Sequence, residues 1–304
     1  MTTPVVRCLM TGDSFSNNIA LFLRYGDSMY IQKDVITSRS NPLVKLVASL
    51  IDKKGRYEQG AFIAEGIKLT LEATSADLPI THCFISEDKA ELYLPLVSKA
   101  LDKAIYEKTQ IIIVSKGVFE KISTEKAPQG VISVVKHLDF FTNMTIIYKE
   151  EFFVKADERA IILCSVRDPS NLGSVIRSSV AFGVEHVILS DDCADIYNPK
   201  TIRSAMGSLF KVKVTVVKSL PDLIEAMQYN GRRVFCAELR DGAKSLKDVL
   251  LRTTDAIVIG NEGHGIPAEI SKLCDDSVYI PISPTVESLN ASVAAAVFMW
   301  EQNK

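Results

Sequence analysis

The chain has 304 residues, 47% of them hydrophobic and 24% charged, with a formal net charge of −2. That is enough chain for about two folded domains with cores that need no disulfide or metal staple, and it excludes disordered, collagen-like and coiled-coil classes. The near-neutral balance also means that a polyanionic partner has to be met by a local patch rather than by bulk charge.

Residues 1–34 show no clear period and are expected to form a leader, with a mobile arm as one reading. They lack a basic start followed by an unbroken apolar run, so no signal peptide is expected. Residues 35–138 alternate helical and strand patterns. The spacing of Leu43, Val44, Leu46, Val47, Leu50 and Ile51, with Pro42 in the first turn, predicts an amphipathic helix. Ala61–Ala64 reads as a short strand that turns at Glu65-Gly66 into a helix over 67–76. Further strands are expected at 82–86, 111–114 and 131–135, the last after the turn Pro128-Gln129-Gly130. Residues 139–158 have no clean period and read as a linker.

From 159 to 304 the rhythm is regular. Apolar runs begin near 161, 186, 212, 233, 256 and 277, separated by helical or loop patterns. Runs so apolar indicate a mostly parallel sheet covered on both faces. The last segment, Leu289–Trp300, is apolar nearly all round and predicts a buried helix. The fold class expected is therefore α/β: a small α/β domain followed by a larger one with a parallel sheet. The six cysteines form no C-x-x-C pair and have no zinc spacing to the four histidines, so buried thiols in a reducing cytoplasm are expected, and no metal. No run of 18 apolar residues is present to suggest a membrane helix.

In an open α/β sheet, ligands bind where strands end and loops lead into helices. Three such loops are chemically unusual. The first, Val166-Arg-Asp-Pro-Ser-Asn171-Leu-Gly173-Ser-Val-Ile-Arg177, opens a helix on which Ser170, Ser174, Arg177 and Ala181 share one face while Leu172, Val175, Ile176 and Val180 face the core. Asn171 at the helix start has a side chain suited to capping the helix or to holding a loop. The second, Gly260-Asn261-Glu262-Gly263-His264-Gly265, has three glycines in six residues, which allows close backbone approach. It is neither a dinucleotide fingerprint nor a P-loop. The third, Ile280-Pro-Ile-Ser-Pro284-Thr-Val-Glu-Ser288-Leu289-Asn290-Ala291-Ser292, leads into the last helix with Ser288 as the expected N-cap.

In this order and spacing, N-x-G-x-x-x-R, G-N-E-G-x-G and I-P-I…E-S-L-N-x-S resemble the three signature motifs of the SpoU/TrmH branch of the SPOUT methyltransferases. Ile36-Thr-Ser-x-x-Asn41-Pro42, Phe62-x-x-Glu65-Gly66 and Pro128-Gln-Gly-Val131 resemble the ribosomal-protein-like substrate-binding domain often fused ahead of that catalytic domain. The resemblance implies S-adenosyl-L-methionine as methyl donor, ribose 2′-O-methylation of RNA, a homodimer and a C-terminal trefoil knot. By motif position it implies a cofactor site at Gly260, Ile280 and Leu289, and Asn261, Gly263 and Glu238 are also expected to bind the cofactor. It implies a catalytic set of Arg177, Asn171, Glu262, Ser288 and Asn290. Pro284 stands where the third motif commonly has Gly, and Ala291 where it commonly has Val.

For RNA docking, Lys45, Lys53, Lys54 and Arg56 form the best local basic cluster of the first domain, and Arg203 is expected to reach the backbone near the active site. The fusion favours ribosomal RNA as substrate. The alternatives are a tRNA methyltransferase, or a catalytically silent RNA-binding or ribosome-assembly protein on the same fold. A nucleotide-cofactor oxidoreductase would need a glycine fingerprint after the first strand of the second domain, and the turn after residues 161–166 lacks one.

Overall fold

The computed structural model describes residues 29–32, 34–101, 109–138, 141–144 and 153–304. Most of the stretch expected as a leader, and part of the expected linker, lies outside the described residues.

The first domain runs β1 (Met29–Ile31), α1 (Pro42–Ser49), α2 (Lys53–Gln59), β2 (Ala61–Glu65), α3 (Ile67–Ser75), β3 (Ile80–Ser86), α4 (Ala90–Leu101), β4 (Thr109–Val114), α5 (Lys116–Ile122) and β5 (Val131–Lys136). Its five strands form one mixed sheet in the order β1-β4-β3-β5-β2, with β5 antiparallel to both neighbours and the other pairs parallel. Asn41 accepts from the Leu43 amide at 2.9 Å to cap α1, and Pro42 fills the first turn as its spacing predicts. Three helices of this domain, α2, α4 and α5, have no counterpart in the sequence expectations: α2 holds Lys53, Lys54 and Arg56 of the basic cluster, and α4 continues through Pro95, a residue that reads as a helix breaker in sequence.

The second domain continues with β6 (Phe141–Met144), β7 (Ala160–Leu163), α6 (Pro169–Ala181), β8 (His186–Ser190), α7 (Pro199–Ala205), β9 (Lys213–Val217), α8 (Leu220–Tyr229), β10 (Val234–Ala237), β11 (Lys244–Ser245), β12 (Ala256–Ile259), α9 (Ala268–Ser271), β13 (Asp276–Tyr279) and α10 (Ala291–Glu301). Eight strands make one all-parallel sheet in the order β11-β13-β10-β12-β7-β8-β9-β6. All six apolar runs become strands. β6 pairs with β9 and so carries the sheet into the stretch expected as a linker. Successive residues of β7 enter different cores, Ile161 and Leu163 on one face, Ala160 and Ile162 on the other, as a sheet covered on both sides requires.

The chain builds outward from β7 in both directions, first through β8 and β9, later through β10 and β12. β7 and β12 therefore flank a topological switch point, and their carboxyl ends open a crevice. α6 and α7 pack closely beside it. A Cβ on Gly173 would lie 2.5 Å from the Thr201 carbonyl oxygen and 2.6 Å from Ser204 Cβ, so only glycine admits this approach. The last helix departs from expectation. α10 buries Ala291, Ala295, Phe298 and Met299, but Val293 and Trp300 are 48% and 57% exposed, so one apolar face meets solvent.

The two domains share one hydrophobic core, in which Phe62, Leu69 and Ala73 of the first domain join Tyr197, Ile202 and Phe210 of the second. Replacing Gly173 with Ala is expected to destabilise the protein by about 1–3 kcal/mol through overpacking against α7, despite the better helix propensity of Ala. Urea unfolding monitored by far-UV circular dichroism measures it, and an unchanged midpoint would contradict the packing argument.

Candidate active site

α6 begins with an Asp-Pro pair. Asp168, rather than Asn171, caps it, accepting from the amides of Ser170 at 2.8 Å and Asn171 at 2.9 Å. Burial pushes the Asp168 carboxyl up, but the Asn171 and Ser170 amides and the Lys200 ammonium 3.1 Å away outweigh it and hold the group below its ordinary value. With the cap supplied by Asp168, the Asn171 side chain is free for other partners. Its Nδ2 donates to Glu262 Oε1, and its Oδ1 accepts from Asn290 Nδ2 at 2.9 Å. Asn290 Oδ1 in turn accepts from the backbone amide and hydroxyl of Ser292 at 2.9 and 2.6 Å, capping α10. One chain of hydrogen bonds, Glu262–Asn171–Asn290–Ser292, thus joins all three loops across separations of 91 and 119 residues.

The glycine-rich loop is fixed by its own asparagine. Asn261 Oδ1 accepts from the amides of Gly263 and His264, its Nδ2 donates to the Ser165 carbonyl at 2.8 Å, and its backbone pairs both ways with Gly265. Gly260 is tightly enclosed, since a Cβ there would stand 2.6 Å from the Gly265 carbonyl carbon and 2.7 Å from its oxygen. Glu262, Gly263, His264 and Gly265 remain exposed.

The structure separates the remaining expected residues. Arg177 lies on the exposed face of α6, roughly 9 Å along the helix axis from Asn171, and forms no ion pair with a carboxylate among the described residues. Ser174 on that face is half-buried, while Leu172, Val175 and Ile176 are in the core, as the helical spacing predicts. Ser288 is not the N-cap. Asn290 takes that position, and Ser288 lies exposed in the preceding loop, outside the hydrogen-bonded chain. Ile280 and Leu289 are half-buried at either end of the third loop. Glu238, just past β10, accepts from Ser271 Oγ and from Ser277 Oγ at 2.7 Å, with Arg240 Nε 3.2 Å away.

The basic residues divide as well. Lys45, Lys53 and Lys54 are exposed. Arg56 is not part of that surface: it is 2% exposed and ion-paired with Asp195 at 2.6 Å, with its Nη1 donating to the Leu50 carbonyl at 3.0 Å and the Ile51 carbonyl at 2.6 Å. Arg203 pairs with Glu125 at 2.5 Å and donates to Thr124 Oγ1 at 3.0 Å, both in the first domain. Both arginines join the domains, Arg56 buried against Asp195 and Arg203 in a partly exposed pair with Glu125, which a charge count along the chain does not reveal. Asp168 and Asp195 were missed altogether. The Asp-Pro pair ahead of an apolar-periodic segment was the available signal for the first, and no local signal marks the second.

The loops after β7 and β12 expose backbone at the carboxyl edge of the sheet, and the loops after β10 and β13, the next strands on the β12 side, expose the apolar side chains Leu239, Ile282 and Val286. Polar backbone beside unsatisfied apolar surface suits a ligand with both a flat apolar group and hydrogen-bonding edges.

Residues 158–300 match the model of the SpoU rRNA methylase family, and residues 41–133 that of the MRM3-like substrate binding domain. The chain is 30% identical over 265 residues to the 23S rRNA (guanosine(2553)-2′-O)-methyltransferase RlmP of Bacillus subtilis, covering 87% of this chain and 97% of the relative. It is 32% identical over 227 residues to the 23S rRNA (guanosine-2′-O-)-methyltransferase RlmB of Coxiella burnetii, covering 73% and 86%. The crystal structure of an RNA 2′-O ribose methyltransferase superposes with a TM-score of 0.74 at 27% identity, covering 88% of this chain and 98% of that one. A putative RNA methyltransferase of the TrmH family from Porphyromonas gingivalis superposes with a TM-score of 0.70, also at 27% identity, over 86% and 97%. The fold and the joined loops define a methyltransferase of the parallel-sheet, switch-point class. The chain belongs to the SpoU family and is an RNA 2′-O-methyltransferase with an MRM3-like substrate-binding domain at its amino end.

Two outcomes are expected of this geometry. Asn171→Asp puts a second carboxylate against Glu262, and like charges at hydrogen-bond distance hold one proton between them. The variant's stability deficit should therefore be small in acid and grow as pH rises and both carboxylates ionise, measured as melting temperature against pH beside the parent. Asp168→Ala removes the α6 cap and should cost about 1 kcal/mol at neutral pH. Because the folded Asp168 pKa is lowered, its contribution is present above the ordinary carboxylate value and lost as pH falls through the folded value. The gap between the two proteins should accordingly close below about pH 4. A constant gap would contradict the electrostatic part of the cap.

Proposed function

We propose that this protein transfers a methyl group from S-adenosyl-L-methionine to a ribose 2′-hydroxyl of ribosomal RNA, with large-subunit RNA as the substrate. The observation that carries this reading is the Glu262–Asn171–Asn290 chain, which assembles the three motif loops at the switch point of the parallel sheet. The substrate follows the two relatives just described, both named as acting on 23S RNA.

The donor set fits the methyl donor. Gly260, Asn261, Gly263, Ile280 and Leu289 would hold it, with Leu239, Ile282 and Val286 supplying apolar surface for its base and Glu238 steadying the loop after β10. When bound, S-adenosylmethionine supplies a methyl group on a sulfonium, open to in-line displacement. Placement of the attacking hydroxyl then supplies much of the acceleration.

A ribose hydroxyl is a weak nucleophile near pH 7 and needs its proton removed or its developing charge stabilised. Arg177 does the second. A guanidinium stays protonated, with a pKa above ~12, and is not a general base. Exposed and without a carboxylate partner among the described residues, it binds the target phosphate or the developing alkoxide electrostatically. An adjacent phosphate oxygen takes the proton. Glu262 and Asn290, both bonded to Asn171, hold the loops in register, and Ser288 stands exposed on the third loop toward substrate or donor.

Lys45, Lys53 and Lys54 give the first domain a cationic surface for the RNA backbone. The active form is a homodimer that buries the exposed apolar face of α10, Val293 and Trp300, against its partner copy. The chain around β12, β13 and α10 threads as a trefoil knot. The five described cysteines are free thiols, which suits a cytoplasmic enzyme.

Arg177→Lys keeps the charge but loses the planar fork and should lower turnover about 10²–10³-fold with donor affinity unchanged. Near-full turnover would remove the need for a guanidinium. The substrate is tested by incubating the protein with labelled S-adenosylmethionine and RNA from a host lacking the gene, then mapping ribose methylation. A single mark in large-subunit RNA is expected, and a mark confined to tRNA would overturn the substrate. Trp300→Glu should convert the dimer to a monomer in sedimentation velocity.

A further inference from the structure

α7 and the loop before it touch both halves of the enzyme. On one side the loop is bonded to the first motif: the Ala194 amide donates to the Val166 carbonyl at 2.9 Å, Cys193 Sγ to the Leu163 carbonyl at 3.3 Å, and Asp192 Oδ2 accepts from Ser165 Oγ at 2.7 Å and Arg167 Nη2 at 2.8 Å. α7 itself lies against α6 at the Gly173 contact, and α6 carries Asn171 and Arg177. On the other side the same stretch grips the substrate-binding domain at two charged points. Asp195 accepts from Arg56 Nη2 at 2.6 Å and Nε at 3.1 Å, the pair being almost wholly buried. Arg203 pairs with Glu125 at 2.5 Å, and Glu65 Oε2 accepts from the amide and hydroxyl of the neighbouring Thr124 at 2.9 and 2.7 Å.

Aromatic packing closes the joint between those points. Tyr197 stacks on Phe62 at 4.9 Å and on His137 at 4.1 Å between ring centroids, and its hydroxyl accepts from the Leu138 amide at 2.8 Å. Asp195 Oδ1 also accepts from the Tyr197 amide at 3.0 Å, so the carboxylate that holds Arg56 orients the ring that stacks between domains. A hydrophobic contact alone would let two domains slide. Arg56 gives two charge-assisted hydrogen bonds to the single oxygen Asp195 Oδ2 and two more to the Leu50 and Ile51 carbonyls, and four directional bonds on one buried guanidinium restrict how the domains can sit.

From this joint we infer that Asp195 and Arg56, with Arg203, are positioning residues that set which ribose is methylated. They hold the RNA-binding domain at one fixed offset from Arg177, so the distance between the docking surface and the crevice acts as a ruler along the RNA. This rests on the ribosomal RNA reading above. None of the three touches the reacting atoms. They act through α7 on α6.

The test uses the full-length protein, labelled S-adenosylmethionine and ribosomal RNA lacking the modification, with every 2′-O-methyl mark mapped by position. Asp195→Asn keeps an acceptor oxygen toward Arg56 but removes the charge. Arg203→Gln loosens the second, more exposed point and is the variant to read should Asp195→Asn not fold. Donor affinity, measured by calorimetry in the absence of RNA, should stay within two-fold of the parent. Methylation of the target ribose should fall at least ten-fold in kcat, and new marks should appear on flanking riboses. Asp195→Glu should recover part of the fidelity. Misplaced marks are the readout that a purely stabilising contact would not change. Folded variants that methylate only the target ribose at parental rate would overturn the inference, as would loss of donor binding in step with activity. A parent enzyme that marks no ribosomal RNA would instead overturn the substrate reading, and the ruler with it.

Discussion

A side-chain amide has one donating and one accepting end, and Asn171 uses both. It gives a hydrogen bond to Glu262 and takes one from Asn290, tying the loop after β12 and the start of α10 to the first turn of α6. The amide carries its donor and its acceptor on separate atoms, so it satisfies a carboxylate on one side and an amide on the other without adding charge. The rest of the site is arranged around this bridge. Asp168 takes over the cap so that Asn171 can turn outward, Asn261 stiffens the neighbouring glycine loop, and Asn290 closes α10 with its free oxygen.

The bridge needs its three anchors delivered to one place, and the parallel sheet does that. In such a sheet every strand ends at the same edge, so loops far apart in sequence converge there. β7 and β12 are neighbours in the sheet although about a hundred residues separate them, and the chain departs from β7 in both directions. Glycine at 173 and 260 then removes the side chains that would hold α7 and the second loop away. The second domain thereby presents exposed backbone and apolar side chains at that edge, while the first domain, docked through the shared core and the α7 joint, is held at a defined offset from it.

Much of this was legible in the residues. The six apolar runs of the second domain became strands because a strand buried on both faces must be apolar at every position. The helix face carrying Ser174 and Arg177 followed from the 3.6-residue period, and the Asn41-Pro42 start of α1 from capping chemistry. What was misread has a common cause. Arg56 sits in a basic cluster of sequence with Lys53 and Lys54, yet it alone turns inward to Asp195, 139 residues away. Arg203 likewise finds Glu125 across the domain boundary. Ser288 and Asn290 are both competent caps, and the choice between them fell to Asn290, whose amide also reaches Asn171. α10, apolar all round, gave no amphipathic signal from which to learn that one face would be left exposed.

Local sequence, then, determined the elements and the chemistry available: where strands and helices form, which loops carry glycine, amides and an arginine, and that these match a methyltransferase family. Periodicity and capping act over a few residues, so they can be read along the chain. Tertiary structure decided which polar groups meet. Whether an arginine faces RNA or a buried aspartate depends on a partner more than a hundred residues distant. The cost of burying a charge unpaired, which forces that pairing, arises only once the core has closed around it.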